Sequence, residues 1–163
     1  GDARVRAAIH EAKYHGSEQA FTFLAEVLVE YLLDADDVGR TTSHIRLVPV
    51  PLGKERQKER GFNQVEEVVR GTLRSLGEEG LCRFVIEPDL LERIRETKSQ
   101  VSLERSKREE NMRGAFKATH RADPAHTYMV IDDVLTTGAT LQAAIDALVT
   151  AGVQHIIPIA LAH

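Results

Sequence analysis

Residues 128–140 read YMVIDDVLTTGAT. An apolar run of the kind found in buried strands ends in two adjacent carboxylates, Asp132 and Asp133, and a threonine-rich loop with one glycine follows. Apolar residues then recur at helical spacing, at positions 141, 144, 145, 148 and 149, which predicts an amphipathic helix directly after the loop. A strand, a short loop and a helix in this order indicate an α/β protein, in which ligands bind outside the carboxyl ends of the strands.

The loop after this strand is suited to binding a phosphate group. Backbone N–H groups at a helix start have no partner within the helix and carry partial positive charge, so they attract anions. Thr136, Thr137 and Thr140 add hydroxyl donors, and Gly138, followed by Ala139, allows the backbone to approach a phosphate closely.

The acidic pair indicates what else the ligand carries. Two carboxylates beside a phosphate site would repel a bare phosphate, but they would accept hydrogen bonds from hydroxyl groups of the same ligand. A ribose 5-phosphate offers both groups, with its 2′- and 3′-hydroxyls on Asp132 and Asp133. The alternative is that the pair only ends a strand and that Thr136 only caps a helix. The sequence contains neither GxxxxGK[ST], the motif of many nucleoside-triphosphatases, nor GxGxxG, the motif of many dinucleotide-binding enzymes.

Helices and strands are predicted to alternate along the rest of the chain. The apolar spacing predicts helices over 5–13, 17–33 and 62–76, the last ending at 77–80, and strands over 45–50, 83–86 and 156–161. Residues 92–113 are polar and are predicted to form a long loop. We therefore expect an α/β fold with a mostly parallel central sheet flanked by helices. Residues 1–40 form an N-terminal helical segment and residues 41–163 the core of one compact domain.

Composition places the chain among globular proteins. Its 163 residues are 42% hydrophobic and 28% charged, with a mean hydropathy of −0.25. Apolar runs stay far below the roughly 18 residues of a membrane-spanning helix, and no signal peptide is recognised. The single cysteine, Cys82, excludes an intrachain disulfide and fits a reducing compartment, so we expect a cytoplasmic protein. The chain opens on Gly1 rather than methionine, which suggests that the natural protein extends further.

Charge is distributed unevenly. The net charge of −4 argues against a general nucleic-acid coat protein. Residues 54–60 hold four basic and two acidic side chains, and residues 93–113 hold seven basic and four acidic ones. Each stretch is either a solvated surface of mixed charge or part of an anion site.

Residues 128–140 resemble the motif that binds phosphoribosyl pyrophosphate (PRPP) in type I phosphoribosyltransferases, and the rest of the chain is similar to a narrower group, the ComF family of competence-associated proteins. The matching segments are residues 9–16, 48–52 and 60–64, Arg93 with Thr97 and Gln100, and Arg108, Asn111 and 114–116. The resemblance implies a type I phosphoribosyltransferase fold in which residues 1–40 form a small helical hood. Many ComF proteins carry a cysteine-rich zinc ribbon, and this sequence does not contain one.

The resemblance implies a reaction and its ligands. It implies a phosphoribosyltransferase, a member of the glycosyltransferase class, in which an unidentified acceptor displaces pyrophosphate from PRPP with the help of Mg²⁺. Asp132 and Asp133 would be the catalytic residues, holding the ribose and favouring positive charge on its ring. PRPP itself would carry the Mg²⁺, without a permanent protein metal site. The alternative is a non-catalytic accessory protein that binds PRPP or a nucleotide and serves competence and DNA uptake through partner proteins.

The resemblance also implies where pyrophosphate binds. The loop after the strand over 45–50 would hold it through Leu52, Gly53 and Lys54, with Arg56 nearby, and the basic excess of 54–60 agrees with this role. Pro51 either belongs to this site or only terminates the strand.

Further residues are expected around the same group. Arg60, Asn63 and Gln64 would orient it, although Asn63 is equally typical of a helix N-cap. Residues 93–113 match the family's mobile loop, which closes over PRPP and excludes water. Arg93 and Arg108, and more weakly Lys107, would contact the pyrophosphate from this loop, or are plain surface cations.

The acceptor is less constrained. Salvage enzymes for 6-oxopurines usually carry an aspartate base where this chain has Thr136, and a threonine hydroxyl cannot act as a base at neutral pH. Tyr14 either stacks on an acceptor base or packs within its helix. The seven histidines show no metal-ligand spacing and receive no role. The sequence does not determine the oligomeric state, and since dimers are common in the family, the resemblance allows a homodimer.

Overall fold

The computed structural model describes residues 2–34, 44–96 and 110–162. The helices are α1 (Asp2–His15), α2 (Glu18–Asp34), α3 (Lys54–Arg60), α4 (Gln64–Arg83) and α5 (Ala139–Thr150). The strands are β1 (Ile45–Pro49), β2 (Phe84–Ile86), β3 (Leu91–Arg93), β4 (Phe116–Ala118), β5 (Thr127–Val134) and β6 (His155–Ala162). None of the helices in these ranges is long and apolar enough to cross a bilayer.

Four strands form a parallel sheet in the order β2-β1-β5-β6. The two central strands are in register with Val48 opposite Val130 and Pro49 opposite Ile131. Strands β3 and β4 form a separate antiparallel pair in which Arg93 lies opposite Phe116. The predicted α/β class, with a central parallel sheet flanked by helices and an N-terminal helical region, is confirmed.

Both faces of the central sheet are buried. Successive side chains of a strand point to opposite faces. Ile45 and Leu47 accordingly join a hydrophobic cluster with α1, α2 and α4, whereas Val48 joins a second cluster with α5 and the β3–β4 pair. Strands covered by helices on both faces are rich in apolar residues on both faces, which explains the apolar runs 47–50 and 128–131 in the sequence.

The connections leaving the two central strands diverge. From β1 the chain runs through α3 and α4 to β2 on one side, and from β5 it runs through α5 to β6 on the other. Helices α4 and α5 pack on opposite faces of the sheet. The carboxyl ends of β1 and β5 therefore flank a topological switch point, where α/β sheets form a crevice.

Three local predictions differ from the structure. Helix α3 was not predicted because all of its side chains face away from the core, so it has no apolar stripe. The loop predicted over 92–113 contains part of β3 and a helical turn at 110–112. Gly77 interrupts α4 with φ 63° and ψ −151°, but the helix resumes and ends at Arg83. The division into residues 1–40 and 41–163 stays a prediction. Residues 97–109, with Lys107 and Arg108, lie outside the described residues.

Candidate functional site

A cavity of about 750 Å³ lies at the switch point. Its walls come from the end of α1, the segment after β1, α3, the start of α4 and the end of β5. The predicted residues that line it are Tyr14, Pro51, Leu52, Arg56, Arg60, Gln64, Arg93, Asp132, Asp133, Thr136 and Thr140. The topology thus brings into one cavity groups that are separated by up to 126 positions in the sequence.

Asp133 is held by two side chains from other elements. The ammonium group of Lys13, near the end of α1, lies 2.5 Å from its Oδ2. Gln64 Nε2, at the start of α4, donates a hydrogen bond of 2.7 Å to the same oxygen. Gln64 is itself fixed by a 2.9 Å hydrogen bond from Arg60 Nη1 to its Oε1. The carboxylate of Asp133 is therefore paired with a cation and held in a fixed orientation.

Asp132 is the member of the pair that resists ionisation. Burial, followed by the negative charge of Asp133, raises the pKa of Asp132 to about 7. The Asp133 backbone N–H, which donates 2.9 Å to Asp132 Oδ1, opposes this rise, as do the charges of Lys13 and Arg93. Near neutral pH Asp132 therefore takes up a proton readily.

Two arginines line the same cavity as the acidic pair. Burial and then the charge of Arg56 lower the pKa of Arg93. The guanidinium carbon of Arg93 lies 5.6 Å from the centroid of the Phe116 ring. Arginine remains protonated under all ordinary conditions, so the cavity brings two permanent cations close to one another. An anionic group bound between them would relieve their mutual repulsion.

The segment predicted to bind pyrophosphate is engaged by an acidic side chain. The backbone N–H of Lys54, the first residue of α3, donates a hydrogen bond to Glu96 Oε1. The Glu96 carboxylate also occupies the space that a Cβ on Gly53 would need. Only a glycine at position 53 allows a carboxylate, or another anion, to approach this close. Gly53 and Lys54 are not among the residues that line the large cavity.

The threonine loop faces two cavities. Thr136 and Thr140 line the large one, whereas Thr137, Gly138 and Ala139 line a neighbouring cavity of about 330 Å³. Gly138 is the N-cap of α5, with φ 78° in the left-handed region that favours glycine. Gly138 has no side chain that could cap the helix. Instead, Thr137 Oγ1 accepts a long hydrogen bond of 3.4 Å from the Ala139 N–H in the first turn.

The chain has curated relatives among bacterial proteins with roles in DNA use. It is 29% identical over 133 residues to "DNA utilization protein YhgH" of Salmonella typhi, and the match covers 82% of this chain and 56% of that protein. It is 30% identical over 138 residues to "Competence protein F" of Haemophilus influenzae, with the same two coverages. The chain belongs to the ComF-like family. No protein-family model matches the sequence. The chain spans about half the length of the curated relatives it matches.

The structure also shows the contacts of three further residues that the sequence pointed to in this ComF-like chain: Tyr14, Arg60 and Asn63. Tyr14 is 66% exposed and lines the cavity, and its ring centroid lies 4.7 Å from that of His10 on the same helix. The guanidinium of Arg60 lies 5.6 Å from its ring centroid. Asn63 is the N-cap of α4: its side chain accepts from Val65 N–H and donates to Val50 O. Asn63 thereby ties the start of α4 to the end of β1.

Sequence reasoning missed two residues of the ComF-like site. Lys13 entered the sequence analysis only as part of segment 9–16, without a role of its own. Its position four residues after the buried Ile9 is the one signal that it borders the core. Glu96 lies in a stretch with a basic excess, where an isolated acid gives no signal of its own. Both residues act through partners far away in the sequence.

Proposed function

We propose that this chain binds PRPP at the switch-point cavity and acts as a phosphoribosyltransferase for a small acceptor. The observation that carries the proposal is the meeting, in one cavity, of the Asp132–Asp133 pair, Thr136 and Thr140, and the guanidinium groups of Arg56 and Arg93. PRPP presents ribose hydroxyls, a 5′-phosphate and a pyrophosphate, and each has a chemically matching partner there.

The acidic pair matches the ribose hydroxyls. Asp133 forms an ion pair with Lys13, and a carboxylate oriented in this way is a strong hydrogen-bond acceptor. A hydroxyl bound to Asp132 would favour its ionised form and therefore lower its pKa from about 7. The negative charge developed on the pair would stabilise the positive charge that forms on the ribose ring in the transition state.

The reaction itself is a displacement at C1 of the ribose. The bond from C1 to pyrophosphate oxygen breaks and its electron pair leaves with pyrophosphate, while the acceptor supplies the electron pair of the new bond to C1 and afterwards loses a proton. Arg56 and Arg93 would stabilise the leaving group. The chemistry of the donor set, two carboxylates of which one is salt-bridged, fits an Mg²⁺ ion held mainly by PRPP oxygens, whose charge offsets that of pyrophosphate.

A second candidate function follows from the names of the relatives. "DNA utilization protein" and "Competence protein F" describe biological roles rather than a reaction. The same cavity would then bind PRPP or a nucleotide as a signal, and the chain would serve competence or DNA use through protein partners. The alternatives differ in turnover, which makes them separable by experiment.

The test combines binding and turnover. PRPP is titrated calorimetrically into the chain in the presence of Mg²⁺, and pyrophosphate release is then screened over nucleobases and amines. Asp133→Asn should weaken PRPP binding by roughly 10- to 100-fold, as expected for the loss of a hydrogen bond to a charged group worth about 1.5–3 kcal/mol. Asp89→Asn is the matched control, because Asp89 is exposed and outside the cavity.

The outcomes separate the candidates. Binding that Asp133→Asn weakens and Asp89→Asn does not, followed by release with one acceptor, supports the transferase. The same binding without release for any acceptor supports the sensing role. Unchanged affinity in Asp133→Asn, with the fold verified by circular dichroism, removes the ribose assignment.

A further inference from the structure

The end of α1 carries a cluster of potential metal ligands apart from the acidic pair. His10, Glu11 and His15 each offer one ligand atom, and these atoms all lie within 4.8 Å of one another. Within residues 2–34, 44–96 and 110–162, it is the one group of three histidine, cysteine or acidic side chains brought this close. From this geometry we propose that His10, Glu11 and His15 bind a divalent transition-metal ion, represented by Zn²⁺.

Helical geometry explains why the three side chains meet. Residues four apart lie one above the other on a helix face, which aligns Glu11 with His15. His10 joins from the neighbouring position, with its Nδ1 4.0 Å from Glu11 Oε1. The ring centroids of His10 and His15 are 6.2 Å apart. The prediction from the sequence that the histidines show no metal-ligand spacing overlooked that four residues separate His10 from His15, a spacing that occurs in zinc sites.

The distances need only a small adjustment to form a metal site. Ligand atoms about 2.0–2.2 Å from a tetrahedral Zn²⁺ are about 3.3 Å from one another. The His10–Glu11 separation of 4.0 Å must therefore shorten by less than an ångström, and a pair at the 4.8 Å limit of the cluster would have to shorten by about 1.5 Å. All three side chains are exposed, so rotation about their side-chain bonds meets little resistance.

The donor set selects the class of ion. Imidazole nitrogen suits Zn²⁺, Cu²⁺, Ni²⁺ and Co²⁺, whereas Mg²⁺ prefers oxygen ligands in a nearly ideal octahedron. The position also favours a cation, because the last turn of a helix carries partial negative charge. The cluster is therefore a different kind of site from one for the Mg²⁺ that PRPP would carry.

The cluster borders the cavity through His15, which lines it together with Tyr14 and Gly16. Three protein ligands leave at least one position of a four-coordinate ion open, which is the arrangement of zinc sites that also bind water or a small ligand. The metal would thus lie at the rim of the cavity, where a small anion can complete its coordination. The proposal does not depend on PRPP binding.

The experiment measures metal binding directly. The full chain is freed of metal with a chelator and titrated with ZnCl₂ by calorimetry, and its thermal unfolding is compared with and without Zn²⁺. We expect one Zn²⁺ per chain, stabilisation of the folded state by the bound ion, and no displacement by excess MgCl₂. His15→Ala and His10→Ala should each weaken Zn²⁺ binding by at least about 10-fold, since even indirect changes around metal ligands cost roughly 10- to 100-fold.

His155→Ala is the matched control, because His155 is exposed and lies outside the cluster. Wild-type affinity in this control, with weakened binding in both cluster variants, supports the proposal. Equal Zn²⁺ affinity in wild type, His10→Ala and His15→Ala overturns it, as does the lack of any binding up to about millimolar Zn²⁺. Each exposed substitution is expected to leave the fold intact, which circular dichroism verifies.

Discussion

Replacing Asp132 by asparagine should change how the stability of the chain depends on pH. Asparagine keeps the size of the side chain and the oxygen that accepts the Asp133 N–H. It removes only the group that titrates. Burial, followed by the charge of Asp133, raises the pKa of Asp132 from 3.8 to about 7, so ionising this side chain in the folded protein is unfavourable.

The sign of the effect follows from proton linkage. Below about pH 4 Asp132 is protonated in both the folded and the unfolded chain, and it contributes no penalty. Between about pH 4 and pH 7 the unfolded chain releases this proton and the folded chain retains it, so raising the pH destabilises the folded state. Above about pH 7 both states are ionised, and the penalty levels off.

The magnitude follows from the same pKa difference. A gap of about three pH units, at about 1.4 kcal/mol each, corresponds to at most about 4 kcal/mol. Asp132→Asn should therefore match wild type near pH 4 and exceed its free energy of unfolding by up to about 4 kcal/mol near pH 8. Such a cost is typical of a group retained for binding rather than for folding.

The assay is urea unfolding followed by circular dichroism, for both proteins, from about pH 4 to about pH 8. Subtracting the two curves removes the contributions of the other carboxylates and the histidines, which both proteins share. A difference that does not change with pH would refute the reasoning, and so would a variant that becomes less stable than wild type as the pH rises.

Two further variants test the contacts around the site. Lys13→Met should lower the free energy of unfolding at neutral pH by about 1–3 kcal/mol, because it leaves the partly buried Asp133 without its cation. This range lies between the values typical of exposed and of fully buried ion pairs. Urea unfolding measures this against exposed Lys58→Met, and a loss below about 0.5 kcal/mol would contradict it. Glu96→Gln should tighten pyrophosphate binding on the order of 5-fold by removing a like charge at the Lys54 N–H. Calorimetric titration with pyrophosphate and Mg²⁺ tests this, with the exposed Glu92→Gln as control. Weaker binding in Glu96→Gln would contradict the idea that Glu96 and pyrophosphate compete for the Lys54 N–H.

Strand and helix patterns were largely predictable because they depend on neighbours in the sequence. The apolar run before Asp132 became β5, and the stripe from Leu141 to Val149 became part of α5. The short strands β3 and β4 were not predicted, because an exposed charged residue, Glu92 or Lys117, interrupts each one and leaves no apolar run like that of β2. Each of the two strands also depends on the other for its hydrogen bonds. Helix α3 lacked the apolar periodicity on which such predictions rest.

The sequence by itself determined the α/β class and the place of the acidic pair at the end of a strand, before a threonine loop and a helix. The tertiary structure decided the chemical state of that pair. Lys13 reaches Asp133 across 120 positions of sequence, and burial gives Asp132 its pKa of about 7. The physical reason is that hydrogen bonding within helices and the alternation of side chains along strands are local, whereas desolvation and charge pairing depend on which distant segments pack together.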